Sequence, residues 1–215
     1  LNPEKLFEFK DADSARARQR EFSLCVVDRT PSGFSPRRFC GLDAAYRSDF
    51  GVGVAAVWDL EASCIAETRS VVLRVPVDYV PGLLGFREGP LVVAAAKMLR
   101  GTADVFLTDG HGVAHPDRFG LACHVGLALD KPTVGVAKSI LHGRVHDDEV
   151  TDKDGTVLGR VFLAGRSRRF YVSLGHRVSL EDAFETVRRL LVDDHIAPLR
   201  AAHLESVRLR SKLPG

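Results

Sequence analysis

The chain has 215 residues, 45% hydrophobic and 27% charged, enough for one sizeable core and enough to exclude global disorder. With 30 basic and 28 acidic side chains the formal charge is +2, which excludes a polybasic, histone-like binder. That total conceals a division, because residues 41–155 carry a net −5 and residues 156–215 a net +5.

Asn2-Pro3 reads as an N-cap and first-turn proline, opening a polar, Arg-rich helix to about Phe22. RTPSGFSPRR (29–38) is loop, so residues 1–36 are expected to be a helical appendage and loop on a single domain spanning 1–215. FCGLDAAY (39–46), GVGVAAVWDL (51–60) and SCIAETRSVVLRV (63–75) read as an antiparallel meander of three strands. VDYVPGLLGFREG (77–89) reads as loop, and an apolar helix is expected from Pro90 to Leu99. DVFLTD (104–109) is a short buried strand, residues 117–129 a helix and residues 132–137 a second buried strand. Such alternation predicts parallel pairing with right-handed crossovers. DKDG (152–155) marks a turn, with strand-like GRVFLA and RFYVSL after it. Ser179–Asp182 resembles a capping box, and a last helix is expected from Pro198 to about Lys212. The expected fold class is α/β, a mixed central sheet flanked by helices.

Cys25, Cys40, Cys64 and Cys123 form no C-x-x-C pair and sit in apolar company, as buried free thiols of a reducing cytosol would. The first twenty residues have no apolar core of a secretory signal, and no apolar run reaches a membrane span. A cytoplasmic protein without membrane contact is expected.

The acids stand out. Asp43 lies inside the apolar strand GLDAAY, Asp109 ends the apolar strand VFLTD, and Glu88 sits just before the Pro90 helix. A carboxylate embedded in a strand needs a partner or a cation. Two or three brought together repel and raise one another's pKa unless a cation holds them. Oxygen-only ligands suit Mg²⁺ or Mn²⁺, which activate water and stabilise a leaving oxygen in phosphodiester cleavage. Taken singly, Asp43 pairing an Arg or Asp109 capping a turn is the better account of each acid; taken together, the set favours a metal site. DGHGVAHP (109–116) adds two glycines, His111 and His115 beside Asp109, and GVAKS (135–139) places Lys138 after an apolar strand, suited to a phosphate or a nucleophilic water. No P-loop, G-x-G-x-x-G or G-x-S-x-G motif occurs, which disfavours a P-loop nucleotidase, a dinucleotide oxidoreductase and an α/β-hydrolase.

DYVPGLLGFREGP (78–90), TDGHGVAHPDRFGLACHVGLALDKPTVGVAKS (108–139) and SLGHRVSLEDA (173–183), with GLDAAY (41–46), resemble endonuclease V across most of residues 39–210. The resemblance implies a ribonuclease H-like fold and Mg²⁺-dependent cleavage (Mn²⁺ may substitute as the ion) at the second phosphodiester 3′ to inosine, in DNA and in some members RNA. It implies that Asp43, Glu88 and Asp109 hold metal and act in catalysis with Lys138 and His203. Tyr79-Val80-Pro81-Gly82 corresponds to a strand-separating wedge, and Gly82, Leu84, Gly110, His115, Gly120 and Leu121 to the purine pocket. A monomer acting on inosine-containing DNA, in DNA repair, is expected. Two departures are visible: Asp78 stands where the wedge usually begins with Pro, and HIAPLR (195–200) replaces R-[IL]-P-E-P-T-R before His203. Arg166, Arg168, Arg169, Arg208 and Arg210 are candidate phosphate contacts. The alternatives are a non-catalytic inosine reader, an inosine-specific ribonuclease, and an actin-like ATPase, for which AAYRSD supplies no phosphate loop.

Overall fold

The computed structural model describes residues 3–75, 77–165 and 168–214. A 3-10 turn, Pro3–Phe7, precedes α1 (Ala12–Ser23). Then come β1 (Arg38–Arg47), β2 (Phe50–Asp59), β3 (Cys64–Arg74), α2 (Leu84–Lys97), β4 (Val105–Thr108), α3 (Leu121–Leu129) and β5 (Thr133–Ala137). A short ribbon, β6 (Arg144–His146) and β7 (Glu149–Thr151), leads to β8 (Val157–Ala164), β9 (Arg168–His176) and α4 (Leu180–Arg189). The chain ends in β10 (Leu191–Val192), β11 (His195–Ile196) and α5 (Ala197–Arg210).

Nine strands form one sheet in the order β3-β2-β1-β4-β5-β9-β8-β7-β6. The meander β1–β2–β3 is antiparallel, β1–β4 and β4–β5 are parallel, and β5–β9 returns to antiparallel. This is the mixed sheet, flanked by helices, that the alternation of elements implied. Among the described residues no helix is long and apolar enough to cross a membrane.

Three local expectations change. The N-terminal segment is not one helix: the 3-10 turn stops at Phe7, and α1 starts afresh where the Asp11 side chain accepts the Ser14 N–H at 2.8 Å and closes a capping box. Asn2, the expected cap, lies outside the described residues. Second, α2 begins at Leu84 and carries Pro90 inside it. A mid-helix proline costs roughly 3 kcal/mol, but Phe86, Leu91, Val92, Val93, Ala95 and Ala96 bury one apolar stripe that outweighs the loss. Glu88 therefore sits on a fixed helical turn rather than in a loop. Third, only Cys40 and Cys123 are buried; Cys25 is intermediate, and Cys64 is exposed because it opens the edge strand β3.

β1 alternates as a central strand must. Cys40 and Leu42 join the cluster containing Val92 and Val93 of α2, while Ala45 joins the one containing Ala202 of α5. Gly41 and Asp43 share the α5 face. A Cβ on Gly41 would stand 2.2 Å from the Pro198 carbonyl carbon and 2.5 Å from the Leu199 nitrogen, so α5 lies directly on the β1 backbone. Gly41→Ala should destabilise the fold by about 1–3 kcal/mol, the cost of overpacking against atoms that cannot yield. Urea denaturation measures this, and a midpoint matching the parent would contradict the packing argument.

Candidate active site

Leu42 pairs with Thr108 in the parallel β1–β4 register, so the next residues, Asp43 within β1 and Asp109 just past the end of β4, lie side by side. Glu88 comes from α2, close enough for Asp43 and Asp109 to act on its charge. Burial, then those two acids, pushes the Glu88 carboxyl up to about 8. Burial also raises Asp43; the Ser206 hydroxyl and then His203 pull it back, and Asp109 adds to the rise. Ser206 Oγ donates to Asp43 Oδ2 and sits 2.9 Å from the His203 carbonyl, while His203 Nδ1 lies 3.5 Å from Asp43 Oδ2. Lys138 Nζ pairs with Asp109 Oδ2.

The three acids are gathered but not closed into a cage. Among the described residues no group of three or more His, Cys, Asp or Glu side chains forms an ion-holding cluster. Asp109 is engaged by an ammonium and Asp43 by a hydroxyl. Glu88 keeps a strongly raised pKa, held up by burial and then by the two neighbouring acids. The all-oxygen donor set fits a hard divalent ion.

Two clefts meet at Asp109 and Lys138. One, of about 340 Å³, is lined by Tyr79, Gly82, Leu84, Gly110, His115, Gly120 and Leu121, with Gly85, His111 and residues 137–141. Seven of the nine residues matched to wedge and purine pocket are thus brought together; Val80 and the exposed Pro81 lie outside the lining. Tyr79 is 64% exposed at the rim. The other cleft, of about 660 Å³, runs along α5 past His203, Arg200, Arg168 and Arg169. Arg208 lies outside both linings and forks onto Glu205 at 2.7 and 2.6 Å. Arg210 also lines neither, and Arg166 lies outside the described residues.

His115 lines the smaller cleft but spends both ring nitrogens on backbone. Its Nε2 donates to the Gly82 carbonyl at 2.7 Å and its Nδ1 accepts the Asp117 N–H at 3.1 Å. Burial lowers its pKa to about 4, so the ring is neutral and braces the Gly82 turn, whose φ is +83°. Gln19 of α1 reinforces it, donating to the carbonyls of Gly82 and Phe119 at 2.9 Å each. Sequence reasoning missed Gln19, which nothing local announces. It also missed Ser206, which was findable: three residues after His203, it shares a helix face with it.

The chain matches the family model described as Endonuclease V over residues 22–204. It belongs to the Endonuclease V family. Endonuclease V of Desulfurococcus amylolyticus is 38% identical over 179 residues, covering 82% of this chain and 81% of that one. The crystal structure of Streptomyces avermitilis Endonuclease V superposes with a TM-score of 0.87 at 32% identity, covering 95% of each chain. A crystal structure of Ciona intestinalis Endonuclease V, in complex with a 24mer DNA containing an inosine followed by a ribo-adenosine, shares the fold at TM-score 0.84 and 21% identity, over 94% of this chain and 98% of that one. As an Endonuclease V family member the chain is a nuclease.

Because folding raises the Glu88 pKa from 4.5 to about 8, the folded state holds a proton that the unfolded chain releases above pH 4.5. Stability is therefore lost as pH rises through this window. Without divalent cation, Glu88→Gln should stabilise the protein at pH 8, on the order of 1–3 kcal/mol, and be near neutral at pH 4.5. Urea denaturation at the two pH values checks this; equal effects at both would refute it.

Proposed function

We propose that this chain is a divalent-metal-dependent endonuclease, with Mg²⁺ or Mn²⁺ as the ion, that recognises inosine in DNA for repair and hydrolyses the second phosphodiester 3′ to it. The observation that carries the reading is the meeting of a glycine-lined cleft with an acid cluster at Asp109 and Lys138. The inosine-containing DNA bound by the Ciona intestinalis protein supports the substrate class. Four free cysteines support a reducing compartment, and the cytoplasm is proposed.

In this reading Tyr79, exposed on the turn braced by His115 and Gln19, fills the stack when the base leaves it. The small cleft takes the extruded purine. Gly82, Gly110 and Gly120 let backbone groups approach its edge, and hypoxanthine offers an acceptor where adenine offers an amino donor, so the wrong base leaves groups unpaired. Asp43 and Asp109 would hold the cation through carboxylate oxygens, with Glu88 beside them. When bound, the ion supplies an activated water and counter-charge for the departing 3′-oxygen. Lys138 directs its ammonium at the reacting phosphate once Asp109 is otherwise engaged. Ser206 orients Asp43, and His203 stands within reach to move a proton. The presence of all three acids favours this over a non-catalytic inosine reader.

Asp43→Asn and Asp109→Asn should each abolish Mg²⁺-dependent nicking of an inosine-bearing oligonucleotide while leaving the circular-dichroism spectrum unchanged. Full activity in either variant would sink the assignment. Tyr79→Ala should weaken binding to inosine duplex more than to single-stranded inosine, because only the duplex must be opened. Equal losses in a titration with both substrates would exclude the wedge role.

A further inference from the structure

The larger cleft has no assigned part in base recognition, yet it begins at the same Asp109–Lys138 pair. Its walls are basic: Arg168 and Arg169 at the start of β9, Arg200 in the first turns of α5, and His203 below them. Its single acid, Asp109, is already paired with Lys138. The arginines are exposed, and the bonds two of them make involve no carboxylate. Arg168 donates to the Asp194 carbonyl at 3.0 Å, and Arg200 lies 3.0 Å from His195 Nδ1. Among the described residues Arg169 makes no ion pair. α5 adds to this field, for it has no side-chain N-cap and no acid in its first turn, which leaves the positive end of a 14-residue helix beside Arg200.

The two clefts lie on opposite faces of the sheet. The smaller is floored by residues of α2 and α3, the larger by α5, and they join over the ends of β4 and β5. A strand whose base sits in the first and whose phosphodiester reaches Asp109 must continue into the second. We propose that Arg168, Arg169 and Arg200 bind phosphates of the strand 3′ to the cleaved bond, making this cleft a subsite for the departing fragment. The proposal rests on the inosine-endonuclease reading, which fixes the cut on the 3′ side of the base.

The test is equilibrium binding by fluorescence anisotropy, without divalent cation, of single-stranded DNA carrying inosine followed by two or by eight nucleotides. The longer oligonucleotide should bind the parent protein at least about tenfold tighter, as a pair of charge-assisted hydrogen bonds predicts. Arg168→Ala/Arg169→Ala should remove most of that gain and leave the short oligonucleotide unaffected. The slope of log affinity against log salt should fall by about 0.7 for each phosphate that the variant no longer neutralises. Arg188→Ala, a basic residue already paired with Glu185 outside the cleft, should change neither. Equal weakening of both oligonucleotides, the same gain from extending the 5′ side, or no gain in the parent would overturn the proposal. Because the readout needs no turnover, failure of the protein to nick inosine DNA would count against the functional reading alone.

Discussion

Two carboxylates brought together where β4 ends beside β1 set the terms for everything around them. The β1–β4 register delivers Asp43 and Asp109 as neighbours, and their repulsion, with Glu88 added from α2, must be met by other groups. Lys138 meets it on one side, Ser206 and His203 on the other. They come from two elements: the residue after β5, and one turn of α5. The cluster thus couples strand pairing to helix docking, and Glu88 is raised first by its burial and then by the two neighbouring acids. The oxygen donors of the three carboxylates suit a hard cation.

The helices serve that cluster from both faces of the sheet. α5 reaches Asp43 only because Gly41 has no side chain where Pro198 crosses β1. α2 holds Glu88 in place of a loop because its apolar stripe tolerates Pro90. The N-terminal segment, polar enough in sequence to pass for an arm, packs Phe22 near Phe119 and ties Gln19 to the turn behind Tyr79. That turn is exposed yet held in one shape by two side-chain donors on a single carbonyl, from His115 and Gln19.

Charge follows the same division. The near-zero total is made of an acidic centre, part of which is the Asp43–Glu88–Asp109 cluster, and a basic C-terminal quarter. Arg168, Arg169 and Arg200 of that quarter line the cleft beside the acids, whereas Arg208 is neutralised locally by Glu205. Proximity in sequence does not separate these fates. It takes the return of β9 next to β5, and α5 laid across β1, to bring some arginines to the site and leave others on the surface.

Much was legible in the chain. Period-two alternation and turn residues mark the meander, apolar runs mark β4 and β5, and an acid stranded in each apolar strand marks the site, because burying a bare carboxylate is too costly to be accidental. The motif blocks carried the family and most of the residues that line the smaller cleft. Features set by distant partners were not legible: Pro90 inside a helix, the fresh start of α1 at Asp11, the three-residue strands of the β6–β7 ribbon, the brace from Gln19, and the exposure of Cys64. Local sequence determines which residues want burial and which need a counter-charge, since those preferences belong to each side chain. Which groups supply the counter-charge is decided only when strands pair and helices dock, because that energy exists only between residues the fold has already brought together.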